Sequence, residues 1–179
     1  MDKKTLKLSL CNCKECTSGS FLLKESKKDA TLREVTICDV PIGALIIKME
    51  DAEFNGFLKP NKQWGYNKHS ECVIVTDNEM IFIEMKSQQE VNQKLLDECW
   101  KKFTSDCCVI KYVDNVFIKM LKKKSFFEKK ETHFVLLHQA LSIAKTPTVM
   151  GKLTTNSTPD TFRRIPVVNG GTISFNRTI

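Results

Sequence analysis

Three residues in the middle of the chain carry side chains that phosphoryl chemistry uses: Glu71, Glu84 and Lys86. Glu84 and Lys86 stand two apart at the end of the apolar run Met80-Ile81-Phe82-Ile83, so the period of a strand sets them on one face. A hard divalent cation such as Mg²⁺ takes oxygen ligands and uses only one or two protein carboxylates, leaving water and phosphate to complete its shell. Glu71 and Glu84 suit that role. Lys86 would then orient a bound water or neutralise charge that develops at phosphorus. Burying charges beside so apolar a strand is unfavourable unless they are paired or bind metal, so a structural salt bridge is the competing reading of the same residues.

The elements that must position these groups are legible on both sides. Cys72-Val73-Ile74-Val75-Thr76, the polar break Asp77-Asn78-Glu79 and the run Met80 to Lys86 read as a hairpin buried on both faces. If Val75 opposes Met80, the residue numbers of each pair sum to 155, which sets Glu71 opposite Glu84 and His69 opposite Lys86. A register with an even sum would turn Glu71 to the other face, and with both faces apolar the pattern does not choose. Val91, Leu95, Leu96, Cys99, Trp100 and Phe103, then Val109 to Leu121, fall at helical spacing and predict two helices broken near Thr104-Ser105, with Ser105 as the second N-cap. Phe134 to Leu137 predicts a further core strand.

The first third alternates in short pieces, Leu6 to Leu10, Phe21 to Leu23 and Val35 to Ile37, and predicts strands joined by polar turns. Gly43 to Met49 is an apolar run whose period does not decide between strand and helix, and the turn formers of Phe54 to His69 mark a loop. Near the C-terminus, Ile165 to Val168 and Thr172 to Phe175 flank Asn169-Gly170-Gly171 as a hairpin. The expected class is an α/β (α+β) fold with a β-rich N-terminal segment and a C-terminal hairpin. We expect one domain over 1–145, with its core at about 43–138, and a basic extension over 146–179 that packs on the same domain or on a partner.

A chain of 179 residues with 41% hydrophobic and 27% charged residues has the composition of one folded globular domain. No apolar run reaches the roughly 20 residues of a membrane span, and Met1-Asp2-Lys3-Lys4 is not followed by a leader-like stretch, which predicts a cytoplasmic protein. Its eight cysteines are then expected mainly as thiols. Cys11, Cys13 and Cys16 have spacing that can hold a structural Zn²⁺, though no fourth ligand lies nearby. The net charge of +7 favours an acidic partner. Lys122, Lys123 and Lys124, together with Arg163 and Arg164, are the candidates for phosphate contacts; a merely solvated basic surface is the alternative.

The acid, the hairpin, the Glu-x-Lys of Glu84-Met85-Lys86 and the helix that follows resemble the core of the PD-(D/E)XK nucleases over about Glu71 to Leu137. The resemblance implies a restriction-endonuclease-like core, a mixed sheet flanked by helices in the order α-β-β-β-α-β. It also implies catalytic roles for Glu71, Glu84 and Lys86, and a Mg²⁺ (or Mn²⁺) held by Glu71, Glu84 and the backbone carbonyl of Met85. The first acid of that pattern is usually Asp, and here it is Glu71; Glu50, Asp51 and Glu53 are candidates for a further upstream acid.

The resulting expectation is a metal-dependent nuclease acting on DNA before RNA, as part of a defence or mobile-element system, with a protein partner or a second copy as further company. The alternative is a non-catalytic protein that keeps the fold and binds nucleic acid or a protein.

Overall fold

The computed structural model describes residues 13–25, 28–49, 68–140 and 156–179. It has the mixed α+β fold expected from the sequence. Strands β1 (Cys13–Glu15), β4 (Leu45–Lys48), β5 (Cys72–Val75), β6 (Glu79–Lys86), β7 (Glu131–Gln139) and β8 (Arg163–Val167) lie in that order in a six-stranded sheet. Strands β2 (Ser20–Lys24), β3 (Glu34–Cys38) and β9 (Gly171–Ser174) form a three-stranded sheet. One long helix, α1 (Gln93–Lys119), connects β6 to β7. The expected strand at Leu6 to Leu10 and most of the Phe54 to His69 loop lie outside the described residues.

The buried hairpin forms as its apolar pattern predicts. Every residue of β5 is buried, and Cys72, Val73, Ile74 and Val75 pair with Ile83, Phe82, Ile81 and Met80, the register in which residue numbers sum to 155. Alternation along β6 sorts its side chains between two cores. Ile81, Ile83 and Met85 join Val135, Leu137, Ile165, Val35 and Ile37 between the two sheets. Met80 and Phe82 face the helix with Val73, Val75, Phe103 and Phe134, where the Phe82 and Phe134 rings stack at 4.9 Å. Among the described residues, the six-stranded sheet is therefore covered by α1 on one face and by the small sheet on the other, where flanking helices were expected. The β-rich N-terminal third supplies two of the three covering strands.

The two helices expected on either side of Thr104-Ser105 are one helix of 27 residues, and Ser105 is buried inside it. Ser and Thr weaken a helix by less than about 1 kcal/mol each, and the apolar stripe of Leu95, Cys99, Phe103, Ile110 and Phe117 continues across them onto the sheet. The cap lies instead at Asn92, whose side chain accepts the Leu95 N–H at 3.0 Å. Beyond the helix, Asp114 receives the Phe126 N–H and the Ser125 hydroxyl, each at 2.7 Å, and so fixes the turn towards β7.

The C-terminal hairpin is also corrected. β8 runs parallel to β7 in the large sheet, and β9 runs parallel to β3 in the small one, so the two strands enter different sheets. The Asn169-Gly170 turn thus makes a corner. Gly170 takes a φ of +73°, and Asn169 Oδ1 accepts the backbone N–H groups of Arg33 at 2.7 Å and Glu34 at 3.1 Å. Local sequence signals mark a turn but not which edge each arm will join. Asn169→Ala is expected to lower stability by about 1 kcal/mol, since it removes one acceptor from two donors at an exposed corner. Asn169→Asp should retain most of that stability in denaturant unfolding, and equal losses in the two variants would remove this role.

Candidate functional site

Glu84 lies on the helix-facing side of β6 and is 0% exposed. Its Oε1 is 2.7 Å from Lys102 Nζ, on α1, and 3.0 Å from Lys86 Nζ, two residues along the same strand. Among the described residues, its Oε2 has no partner. Burial pushes the Glu84 carboxyl above the ordinary carboxylate range, and the Lys102 and Lys86 ammoniums oppose that push. Burial pulls Lys102 down, but Glu84, with Glu71 adding its field, outweighs it and holds the ammonium above its ordinary value. Met85 turns its side chain into the core between the sheets, which leaves only its backbone for any ligand role.

Glu71 sits just before β5, where the regular ladder stops. Its N–H donates to the Ile83 carbonyl at 3.0 Å and its own carbonyl accepts the Met49 N–H at 3.2 Å, so the backbone turns between both neighbouring strands. The side chain is buried and near enough to act on Lys102. Burial raises the Cys72 thiol first, and the fields of Glu71, Asp106 and Glu84 add to it against Lys48. Three carboxylates therefore act on the first residue of β5.

His69, which as a loop residue would be expected in solvent, is buried beside α1. Its Nδ1 lies 2.8 Å from Asp106 Oδ1, and Asp106 Oδ2 accepts the Ser70 N–H at 2.9 Å. Asp106 follows Lys102 by four residues, so one helix face presents both groups to adjoining parts of the sheet end. Among the described residues, His69 Nε2 is buried without a partner.

The parallel ladder extends this polar end across two more strands. Glu84 pairs with Leu136, and Leu136 with Arg164; Lys86 pairs with His138. Arg164 is thus two strands, about 10 Å, from Glu84 and on the same face. Burial lowers the His138 imidazole below its ordinary value; Arg164 acts in the same direction, and the Gln139 and Gln89 backbones oppose it.

The other basic candidates lie elsewhere. Lys122, Lys123 and Lys124 follow the far end of α1, and the helical rise from Lys102 to Lys119 alone is about 26 Å. Arg163 donates through Nη1 to the carbonyl of Arg177 at 2.8 Å and to that of Ile179, tying down the C-terminus. Lys130 donates at 2.6 Å to the Thr76 and Asp77 carbonyls at the β5–β6 turn. Of the cysteines read as zinc ligands, Cys11 lies outside the described residues, Cys13 is on β1, and Cys16 is buried between the sheets with its thiol 3.5 Å from the Ser20 carbonyl. Glu50, Asp51 and Glu53 are also outside the described residues.

Lys102 and Asp106 were not found by reading the sequence. Their signal was present: both are charged residues at helical spacing on a stripe that is otherwise apolar.

Comparison of the chain with protein-family models, with curated proteins and with solved structures finds no match. Its functional reading therefore rests on its own residues. Among the described residues no helix is long and apolar enough to cross a membrane.

Proposed function

We propose that this chain is a divalent-metal-dependent nuclease-like protein, with Glu84 and Glu71 as metal ligands and with Lys86 and Lys102 beside the phosphate. The observation that carries the reading is Glu84: a wholly buried carboxylate with one oxygen held by two ammoniums and the other, among the described residues, without a partner. A buried acceptor with no donor is unfavourable, and a hard cation, which takes oxygen ligands, would satisfy it together with Glu71. The residues therefore fit Mg²⁺ or Mn²⁺, and the Met85 carbonyl remains a candidate backbone ligand. Such an ion supplies polarisation of a phosphoryl oxygen and a bound water of lowered pKa.

The chain's own groups do the rest. Lys102 and Lys86 fix the Glu84 carboxylate, and their ammoniums offset the negative charge of a phosphodiester drawn to the same end of the sheet. Arg164, on the same face, extends the positive surface that would meet the nucleic-acid backbone. Two fold features support the reading. The order β4-β5-β6-α1-β7 follows the expected β-β-β-α-β part of a restriction-endonuclease-like core, and the site lies at the C-terminal ends of parallel strands, where sheets of this kind place ligands. DNA before RNA is the substrate the family resemblance suggests.

The second reading, a non-catalytic binding protein with the same fold, is favoured by one observation. Lys86 and Lys102 both already pair with Glu84, and Lys102 also lies in the field of Glu71, which weakens the attraction for a cation. The test is incubation of the full chain with single- and double-stranded DNA and RNA in Mg²⁺ or Mn²⁺. Cleavage that a chelator stops supports the first reading; retained binding with no cleavage of any of the four substrates supports the second.

The basic residues give a separate expectation. Arg164→Gln should weaken binding about equally across sequences and lower the log–log salt slope by about 0.9 for a duplex phosphate contact. Changing Lys122, Lys123 and Lys124 should produce a comparable fall only if bound nucleic acid spans both ends of α1. Unchanged slopes in all of these variants would mark the basic residues as surface solvation.

A further inference from the structure

At the opposite end of β6, and on the face turned towards the small sheet, Glu79, Glu131 and His133 gather. One ligand atom from each lies within 4.8 Å of the other two, and among the described residues this is the one set of three or more such side chains. The fold forces the gathering. Glu79 and Glu131 are direct partners in the parallel β6–β7 ladder, and His133 follows Glu131 by two residues, on the same face. Two carboxylates set opposite each other on neighbouring strands repel unless a positive group lies between them.

The orientation of the imidazole comes from outside the cluster. The Asn156 side-chain NH₂ donates to the Thr178 carbonyl at 3.0 Å, which turns Asn156 Oδ1 towards His133 Nδ1 at 3.2 Å. An oxygen there requires Nδ1 to carry the hydrogen. His133 Nε2 is then the nitrogen aimed at the carboxylates, 2.7 Å from Glu79 Oε2. Asn156 and Thr178 are buried, and the Asn156 carbonyl accepts the Phe134 N–H at 2.8 Å, so this support is rigid. Metal-bound histidines are held in the same way, with the second ring nitrogen donating to an oxygen of the protein.

We propose that Glu79, Glu131 and His133 form a site for a first-row divalent transition metal, with Mn²⁺ as the probe. Bonds of roughly 2.0–2.2 Å require only small side-chain rotations from this geometry. Two carboxylates and one imidazole favour such an ion over Mg²⁺, which takes oxygen ligands. Glu131 is exposed, which leaves room for water in the remaining coordination positions. The site is independent of Glu84: five residues of strand, about 17 Å, separate Glu79 from Glu84, which faces the helix.

The competing occupant of the gap between His133 Nε2 and Glu79 is a proton, and Mn²⁺ binding separates the two. The full chain contains three histidines, so the His133 imidazole resonances can be assigned by their loss in His133→Ala. Substoichiometric Mn²⁺ is expected to broaden them selectively. By electron paramagnetic resonance, Glu84→Gln should retain a Mn²⁺ site that His133→Ala or Glu131→Gln, added to it, weakens on the order of 100-fold or more. Unbroadened His133 resonances in the wild-type chain, or unchanged affinity on adding either substitution, would overturn the site. If Glu84 binds no metal, wild type and Glu84→Gln will bind Mn²⁺ alike, and the site at His133 stands.

Discussion

Lys102→Ala is expected to lower the unfolding free energy by about 3–5 kcal/mol, because it removes the nearer of the two cations holding a carboxylate with no solvent exposure. Lys86→Ala should cost less, about 1.5–3 kcal/mol, since Lys102 remains at 2.7 Å and is itself held charged by Glu84, with Glu71 adding to it. The pH dependence follows from the same groups. Burial lifts the folded-state pKa of Glu84 above its ordinary 4.5, so the folded chain keeps that proton to higher pH than the unfolded chain. Wild-type stability therefore falls as pH rises through the window above 4.5. Removing Lys102 takes away the stronger opposition to that lift and widens the window upward. Lys102 itself, raised above 10.5, stays charged below that value and adds no slope there. The loss in Lys102→Ala should thus be larger at about pH 8 than at about pH 5 in denaturant titrations. Equal losses for the two lysines, or a larger loss at the lower pH, would show that Lys102 does not neutralise Glu84.

Glu84→Gln is expected to reduce metal-dependent cleavage by at least about 100-fold, the scale of removing one preorganised charge from a phosphoryl site. The amide keeps the shape of the side chain, which matters because Glu84 is part of the packing between sheet and helix. An alanine there would open a buried space and strand two ammoniums, so it would test folding as much as chemistry. Lys86→Met should show a loss of the same order with a smaller effect on folding, as Lys86 is the more distant partner. Cooperative unfolding of each variant, measured alongside the assay, separates lost chemistry from lost structure. Wild-type cleavage by Glu84→Gln would exclude this carboxylate from the reaction.

The apolar runs and polar break of 72–86 were enough to expect the hairpin, but they left two registers open, and packing selects the one in which residue numbers sum to 155. Glu84 and Lys86 were legible because a strand fixes the face of residues two apart. The charge balance at Glu84 was not, because its nearer cation comes from a helix residue 18 positions away in the sequence. The helix boundary at Thr104-Ser105 was misread because polar residues at a helix centre look like a break when the sheet beneath them is unknown. The C-terminal turn looked like a hairpin because Asn169-Gly170-Gly171 encodes a reversal, while the choice of strand partners belongs to β3 and β7.

By itself the sequence determined the mixed α+β class, the buried hairpin and the pairing of Glu84 with Lys86 on one face, since each follows from local period and turn chemistry. Only the tertiary structure decided that Lys102 shares Glu84, that Asp106 holds His69, and that Arg164 joins this end of the sheet while Lys122 to Lys124 lie at the other. Those placements depend on how α1 crosses the sheet and which edge β8 takes. Packing sets both over long sequence separations, and no local spacing records it.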